Sequence, residues 1–216
     1  DRSAFGVRLR GTVNPNGFAT SALFEYGPTA SYGQTIPLTL TDANGAVTEN
    51  VETLLSGLTG GTTYHYRLRA ITDAGTRSTP DSTFSTFSSL ETWRQTHFGS
   101  ANNTGNAADA ADFDLDGVPN LLEWACGLSP AQPSRLDTPV NRNASVIEFT
   151  YTRDVTAVGA VYQVEWSDTL PGTLWSTVGV SEAIVNQAGT LQTVKATLPA
   201  GSNGGRFVRL RVQGPP

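Results

Sequence analysis

Between Asp112 and Glu123 the chain reads Asp-Phe-Asp-Leu-Asp-Gly-Val-Pro-Asn-Leu-Leu-Glu, and its oxygen donors fall in a pattern. With Asp112 as position 1, carboxylates follow at 3 and 5 (Asp114, Asp116) and a glycine at 6 (Gly117). The carbonyl of Val118 stands at 7, the amide of Asn120 at 9 and a last carboxylate, Glu123, at 12. A hard cation such as calcium takes about six to eight oxygens, and this spacing wraps a short loop around one, with the glycine permitting the sharp turn. Four carboxylates this close repel one another unless a cation offsets them. The pattern predicts a Ca2+ site with Asp112, Asp114, Asp116, Val118, Asn120 and Glu123 as ligands. The competing reading is an acidic turn that caps the next helix.

Two helical stretches must position such a loop. On its far side Pro119 suits a first helical turn. Leu121, Leu122, Trp124, Ala125 and Leu128 supply apolar contacts there, and Gly127 and Pro130 end the helix. On its near side Ser88-Ser-Leu-Glu91 has the form of a capping box. Leu90, Trp93 and His97 follow at helical spacing, Phe98 joins that stripe and Gly99 is the expected stop. The intervening Ser100 to Ala111 is small and polar and is expected to wrap over the loop. Asp109 within it reads as a turn cap in preference to a further ligand. Trp93 and Trp124 are expected to pack together beneath the loop. So small a core does not fold alone, so cation binding and folding are expected to be coupled. Cys126 excludes an intrachain disulfide, being the only cysteine, and reads as a buried thiol.

The flanks carry a different pattern. Residues 1–87 hold about seven strand-like segments separated by turn signals such as Asn14-Pro-Asn-Gly17, Asp42-Ala-Asn-Gly45 and Leu58-Thr-Gly-Gly61. Thr63–Thr72 alternates best: Tyr64, Tyr66, Leu68 and Ala70 share one face, and His65, Arg67 and Arg69 the other. A last strand is expected from Thr76 to Phe87, with Pro80 marking an edge or bulge. Alternation returns in 134–216, at Ile147/Phe149/Tyr151, Tyr162/Val164/Trp166, Trp175/Val178/Val180, Val194/Ala196/Leu198 and Val208/Leu210/Val212. Turns are expected at Asp168–Gly172, Asn186–Gly189 and Pro199–Gly205. The predicted fold class is mainly β: two β-sandwich domains, 1–87 and 134–216, joined by a short helical calcium-binding connector, 88–133.

Leu58-Thr-Gly-Gly-Thr-Thr-Tyr64 resembles the tyrosine corner of fibronectin type III domains, and Ala70-Ile-Thr-Asp-Ala-Gly75 resembles the turn that follows it. Gly11–Gly17 with Phe24-Glu-Tyr-Gly27 resembles a bacterial subtype found in secreted proteins. That resemblance implies that Phe24 or Tyr26 fills the space of the family's second-strand tryptophan. Trp93–Gly99, Gly105–Asp109 and Asp112–Pro130 resemble EF-hand-like calcium connectors of large secreted bacterial proteins, and are similar to thrombospondin type 3 repeats and dockerin loops. The single loop, Pro119 at position 8 and the separated entering helix imply a structural site in place of a calcium sensor. Tyr162–Asp168 and Arg206–Val212 resemble the immunoglobulin-like β domains that follow such connectors.

Composition narrows the function. The 216 residues carry a net charge of −5, which argues against nucleic acid as a partner because phosphate binding needs a basic surface. No apolar run approaches membrane-spanning length. The chain begins at Asp1 without Met, so a processed piece of a larger precursor is expected. With two histidines and no nucleophile elbow, phosphate loop or HExxH, no enzyme is predicted. The leading expectation is a calcium-stabilised extracellular or cell-surface structural module: a stalk, an adhesin segment or a filament subunit that self-associates through sheet edges. The alternative is an accessory carbohydrate-binding module of a secreted polysaccharide-degrading enzyme, with Trp166 and Trp175 as candidate glycan-stacking rings set against a core-packing role. Arg209 and Arg211 read as a solvated face or an intersubunit salt-bridge row.

Overall fold

The computed structural model describes residues 3–143, 145–170, 174–201 and 205–215. The protein is mainly β, with several antiparallel sheets, and it divides into two compact units, residues 1–88 and 89–216.

In the first unit β1 (Gly6–Val13) pairs with β4 (Glu49–Ser56) along its whole length. A second sheet runs β3 (Gln34–Leu38), β2 (Thr20–Gly27), β5 (Thr63–Thr72). Two short strands, β6 (Gly75–Ser78) and β7 (Ser82–Ser85), share the outer side of β5. The single strand expected over Thr76–Phe87 is therefore broken, and Pro80, which has no N–H to give a ladder, lies in the break. Thr79 bridges the gap: its hydroxyl accepts the Leu68 N–H at 3.0 Å and its own N–H donates to the Leu68 carbonyl at 2.9 Å.

Val7, Leu9 and Val13 of β1 and Val51 and Leu55 of β4 pack in one cluster with Ala22 and Phe24 of β2 and Tyr64 and Leu68 of β5. The two sheets thus share a core and the unit is β-sandwich-like. Phe24, 1% exposed, is among its most buried side chains. The Tyr64 hydroxyl accepts the Thr59 N–H at 3.0 Å across the intervening turn. On the opposite face of β5, His65 meets Asp81, and Arg67 and Arg69 both reach Glu25.

The second unit opens with α1 (Ser89–Phe98), a 3-10 turn at Gly105–Ala107 and α2 (Asn120–Cys126). One sheet follows the order β11 (Ser181–Ala188), β12 (Leu191–Pro199), β9 (Val146–Asp154), β8 (Val140–Arg142). The other pairs β10 (Val161–Ser167) with β13 (Phe207–Gln213). Ile147, Phe149, Tyr151, Val164, Val194, Ala196 and Leu198 form the core between them, on the faces the alternation predicts.

The helical segment packs into this unit. Leu90, Trp124, Ala125 and Ala157 form a cluster against which Trp93, Leu121, Tyr162 and Val212 pack. Tyr162 also lines the strand core, so the helices gain their buried surface from the strands. Trp93 and Trp124 lie in the same cluster, and the Trp93 ring contacts His97 and Phe98.

In this unit one strand expectation differs, and two strands that the sequence reading does not expect are present. The segment Trp175–Val180 contributes only an isolated bridge, Ser176 with Trp166. It then turns, with the Val180 N–H on the Thr177 carbonyl and Gly179 at φ 76°, a left-handed conformation that ends a strand. The strands β8 and β11 carry no buried alternation to read, because every residue in both is exposed. The turns expected through Pro171-Gly172 and Ser202–Gly204 lie outside the described residues.

Candidate metal centre

The loop is shaped by its own carboxylates before any ligand is considered. Asp112 accepts the N–H groups of Asp116 at 3.1 Å and Gly117 at 2.8 Å. Asp114 accepts the Asp116 N–H at 3.3 Å, and Asp116 accepts the Val118 N–H at 2.7 Å. The tight path puts Leu115 at φ 64° and Gly117 at φ 91°. The result brings Asp112, Asp114 and Asp116 together, each offering an oxygen within 4.8 Å of the others, a cluster able to hold a metal ion.

The loop is anchored at both ends. Phe113 meets Phe98 of α1 edge to face with centroids 5.4 Å apart. Pro119 sits one residue ahead of α2 in extended conformation, and its carbonyl accepts the N–H groups of Leu122 and Glu123. α2 then closes on Gly127 at φ 71°. This carries Asn120 and Glu123, at the first and fourth residues of the helix, into the interior. Val118 is buried beside them.

A buried carboxylate stands near this half-buried cluster. Glu123 is 0% exposed, and neither of its oxygens has a hydrogen-bond partner among the described residues. The same holds for Oδ2 of Asp114 and Oδ1 of Asn120. Burial, and then the charges of Asp114, Asp116 and Asp112, push the Glu123 carboxyl up to about 7. An unpartnered buried carboxylate is costly unless a cation or proton offsets it. Asp116 goes the other way. The Ser134 N–H, and then that of Val118, hold its carboxyl below the usual range against the opposing effect of burial. The donor set is all oxygen, with buried carboxylate and amide oxygens lacking partners, and it fits a hard divalent cation better than a metal that prefers sulfur or imidazole.

Asp109 is held by protein partners. Arg94 of α1 donates to its Oδ1 at 2.5 Å and Asn103 to its Oδ2 at 3.0 Å. The expected wrap over the loop is present: Asn120 donates its side-chain amide to the carbonyls of Asn106 and Ala108, both at 2.8 Å. Sequence reading did not single out Arg94, Asn103 or Ser134. Arg94 had a signal, since it falls four residues after Leu90, on the buried side of the helix. Asn103 and Ser134 had none, being ordinary polar residues in loops.

The candidate glycan-stacking rings sit elsewhere in the second unit. The Arg206 guanidinium lies 3.5 Å from the Trp166 ring centroid and that of Arg209 lies 3.9 Å from the Trp175 centroid. The Trp166 indole also donates to the Val178 carbonyl at 3.0 Å. Arg209 and Arg211 both pair with Glu165, which is 6% exposed, within the chain. No helix among the described residues is long and apolar enough to cross a membrane. No protein-family model matches the chain, and no curated protein matches its sequence.

Proposed function

We propose that Asp112, Asp114, Asp116, Val118, Asn120 and Glu123 bind a calcium ion and that the protein is a calcium-stabilised extracellular structural module. The observation that carries this reading is Glu123, fully buried within reach of the charges of three aspartates and with no partner for either oxygen among the described residues. A cation would supply the missing charge and the missing contacts together. Because α2 and α1 take part in the unit's core through Trp124 and Leu90, occupancy would stabilise the whole unit, as in metal sites whose binding energy is folding energy. Extracellular modules bind calcium in the range of about 10⁻⁴ to 10⁻³ M, which suits a permanent structural ion in a calcium-rich medium.

The first unit is proposed to be a fibronectin type III-like spacer, supported by the Tyr64–Thr59 hydrogen bond across the turn before β5. The role is that of a stalk, adhesin segment or filament subunit. Self-association through sheet edges is supported by β11, an edge strand exposed along its length. Its bulge between Ile184 and Asn186 would confine pairing to the regular stretch before it.

Calorimetry of the full chain in calcium and in chelator tests the metal reading. A ligand present at about 100 times its Kd stabilises by about 2.7 kcal/mol, so the second unit's melting temperature should rise clearly with calcium. Asp114→Ala should abolish the rise. Identical melting in calcium and in chelator would reject the proposal. Sedimentation velocity over a concentration series tests self-association.

A further inference from the structure

We infer that Arg94 is a positioning residue of the cation site, acting through Asp109 and the turn at 105–109 on the amide of Asn120; this rests on the calcium reading above. A helix that runs straight into a cation loop fixes the first ligand through its own rigidity. Here α1 ends at Phe98 and the loop begins at Asp112, so the intervening segment must be located by other means.

Arg94 supplies them. It is 6% exposed, on α1, and its Nη2 donates to Asp109 Oδ1 at 2.5 Å. A guanidinium so buried is costly to hold and needs a fixed partner. Asp109 is clamped on its other side by Asn103, which donates to Oδ2 at 3.0 Å and accepts the Asp109 N–H at 2.7 Å. The backbone around Asp109 then grips α2. The Asp109 carbonyl accepts the Leu121 N–H at 3.1 Å and the Ala111 carbonyl accepts the Asn120 N–H at 2.8 Å. The carbonyls of Asn106 and Ala108 take the Asn120 side-chain nitrogen. With its nitrogen committed twice, the amide of Asn120, 1% exposed, is fixed in orientation, and its Oδ1 is the atom left without a partner among the described residues. The ion pair thus does for this loop what helix continuity does elsewhere, and the amide oxygen is its output.

The test is calcium titration by calorimetry of the full chain, with Arg94→Met, Arg94→Lys and Asp109→Asn. Loss of a residue that orients a metal ligand weakens binding by roughly 10–100-fold, so Arg94→Met and Asp109→Asn should raise the calcium Kd by at least about tenfold, with Arg94→Lys in between. Terbium luminescence lifetimes in H2O and D2O give the second readout: both variants should show more metal-bound water than the unsubstituted chain, as the amide oxygen is lost. Should Arg94→Met fail to fold, Asp109→Asn, which keeps the volume of the side chain, carries the test. An unchanged Kd overturns the inference and leaves the calcium reading standing. A weaker Kd with an unchanged water count also overturns it, because the loss would then come from general stability. A chain that binds neither calcium nor terbium overturns the calcium reading itself.

Discussion

The Tyr162 hydroxyl donates to the Ala125 carbonyl oxygen at 2.6 Å, joining β10 to the last turn of α2. The final carbonyls of a helix lack intrahelical partners, and Ala125 is 0% exposed, so this bond satisfies a group that water does not reach. It also ties the helix that carries Asn120 and Glu123 to the strand core. Tyr162→Phe should destabilise the second unit by about 1–3 kcal/mol, the cost of leaving a buried carbonyl unpaired. Trp93, Trp124, Trp166 and Trp175 are the chain's only tryptophans and all lie in this unit. Tryptophan fluorescence during urea unfolding therefore reads it without interference from the first.

Glu123→Gln should have two effects of opposite sign. The Glu123 carboxyl is raised from 4.5 to about 7 by burial and by its aspartate neighbours. For the metal-free chain, a group raised in the folded state gives stability that is fully present below its unfolded value and lost as pH rises through about 7. At pH 8 in chelator the variant, which has no charge to bury, should therefore unfold at higher urea than the parent. With calcium present the proposed site predicts the reverse order, because the variant loses the negative charge and one of the two oxygens that Glu123 would offer the ion. Urea midpoints measured with and without calcium check both signs.

Much of this arrangement was legible in the sequence, for identifiable reasons. The carboxylate spacing is local, so Asp112, Asp114 and Asp116 come together as the pattern predicts. The strand faces at Tyr64/Leu68 and Ile147/Phe149/Tyr151 followed from alternation, which records burial on one side of a sheet. Where both sides are exposed, as in β11, alternation has nothing to record and the strand was missed. Trp175–Val180 failed in the other direction. Its apolar spacing suits a strand, but Gly179 in the left-handed region and the Trp166 indole on the Val178 carbonyl turn the chain away after one bridge. Partners distant in sequence, such as Arg94 with Asp109 or Tyr162 with Ala125, depend on tertiary packing and leave no local trace.

Gly127→Ala should perturb the end of α2. Gly127 is at φ 71°, and a Cβ there would lie 2.5 Å from Leu191 Cδ2 and 3.2 Å from Asp154 Oδ2. The left-handed conformation alone costs a non-glycine residue about 1–2 kcal/mol, and the Leu191 side chain must also shift. Unfolding followed by tryptophan fluorescence should show a loss of at least that size in chelator. Because Gly127 lies outside the proposed ligand set, the rise in stability that the calcium proposal predicts should survive.

Glu25 gives the first unit a pH dependence of opposite sense to that of metal-free Glu123. Its oxygens accept from Arg67 Nε at 2.5 Å and Arg69 Nη1 at 2.9 Å. The Arg67 hydrogen bond, opposed by burial and reinforced by Arg69, holds its carboxyl below the ordinary value. A carboxyl lowered in the folded state contributes stability above its unfolded value, and that stability is lost as pH falls through the folded value. Hydrogen bonds to charged groups contribute about 1.5–3 kcal/mol, so Glu25→Gln should destabilise the first unit at neutral pH by an amount in that range. The difference between variant and parent should shrink as acid protonates Glu25 in the parent. Amide hydrogen exchange of β2 and β5, followed from neutral pH into the acid range, reads this without any contribution from the second unit. A gap between the two proteins that stays constant down to strong acid would show that the ion pair is not its source.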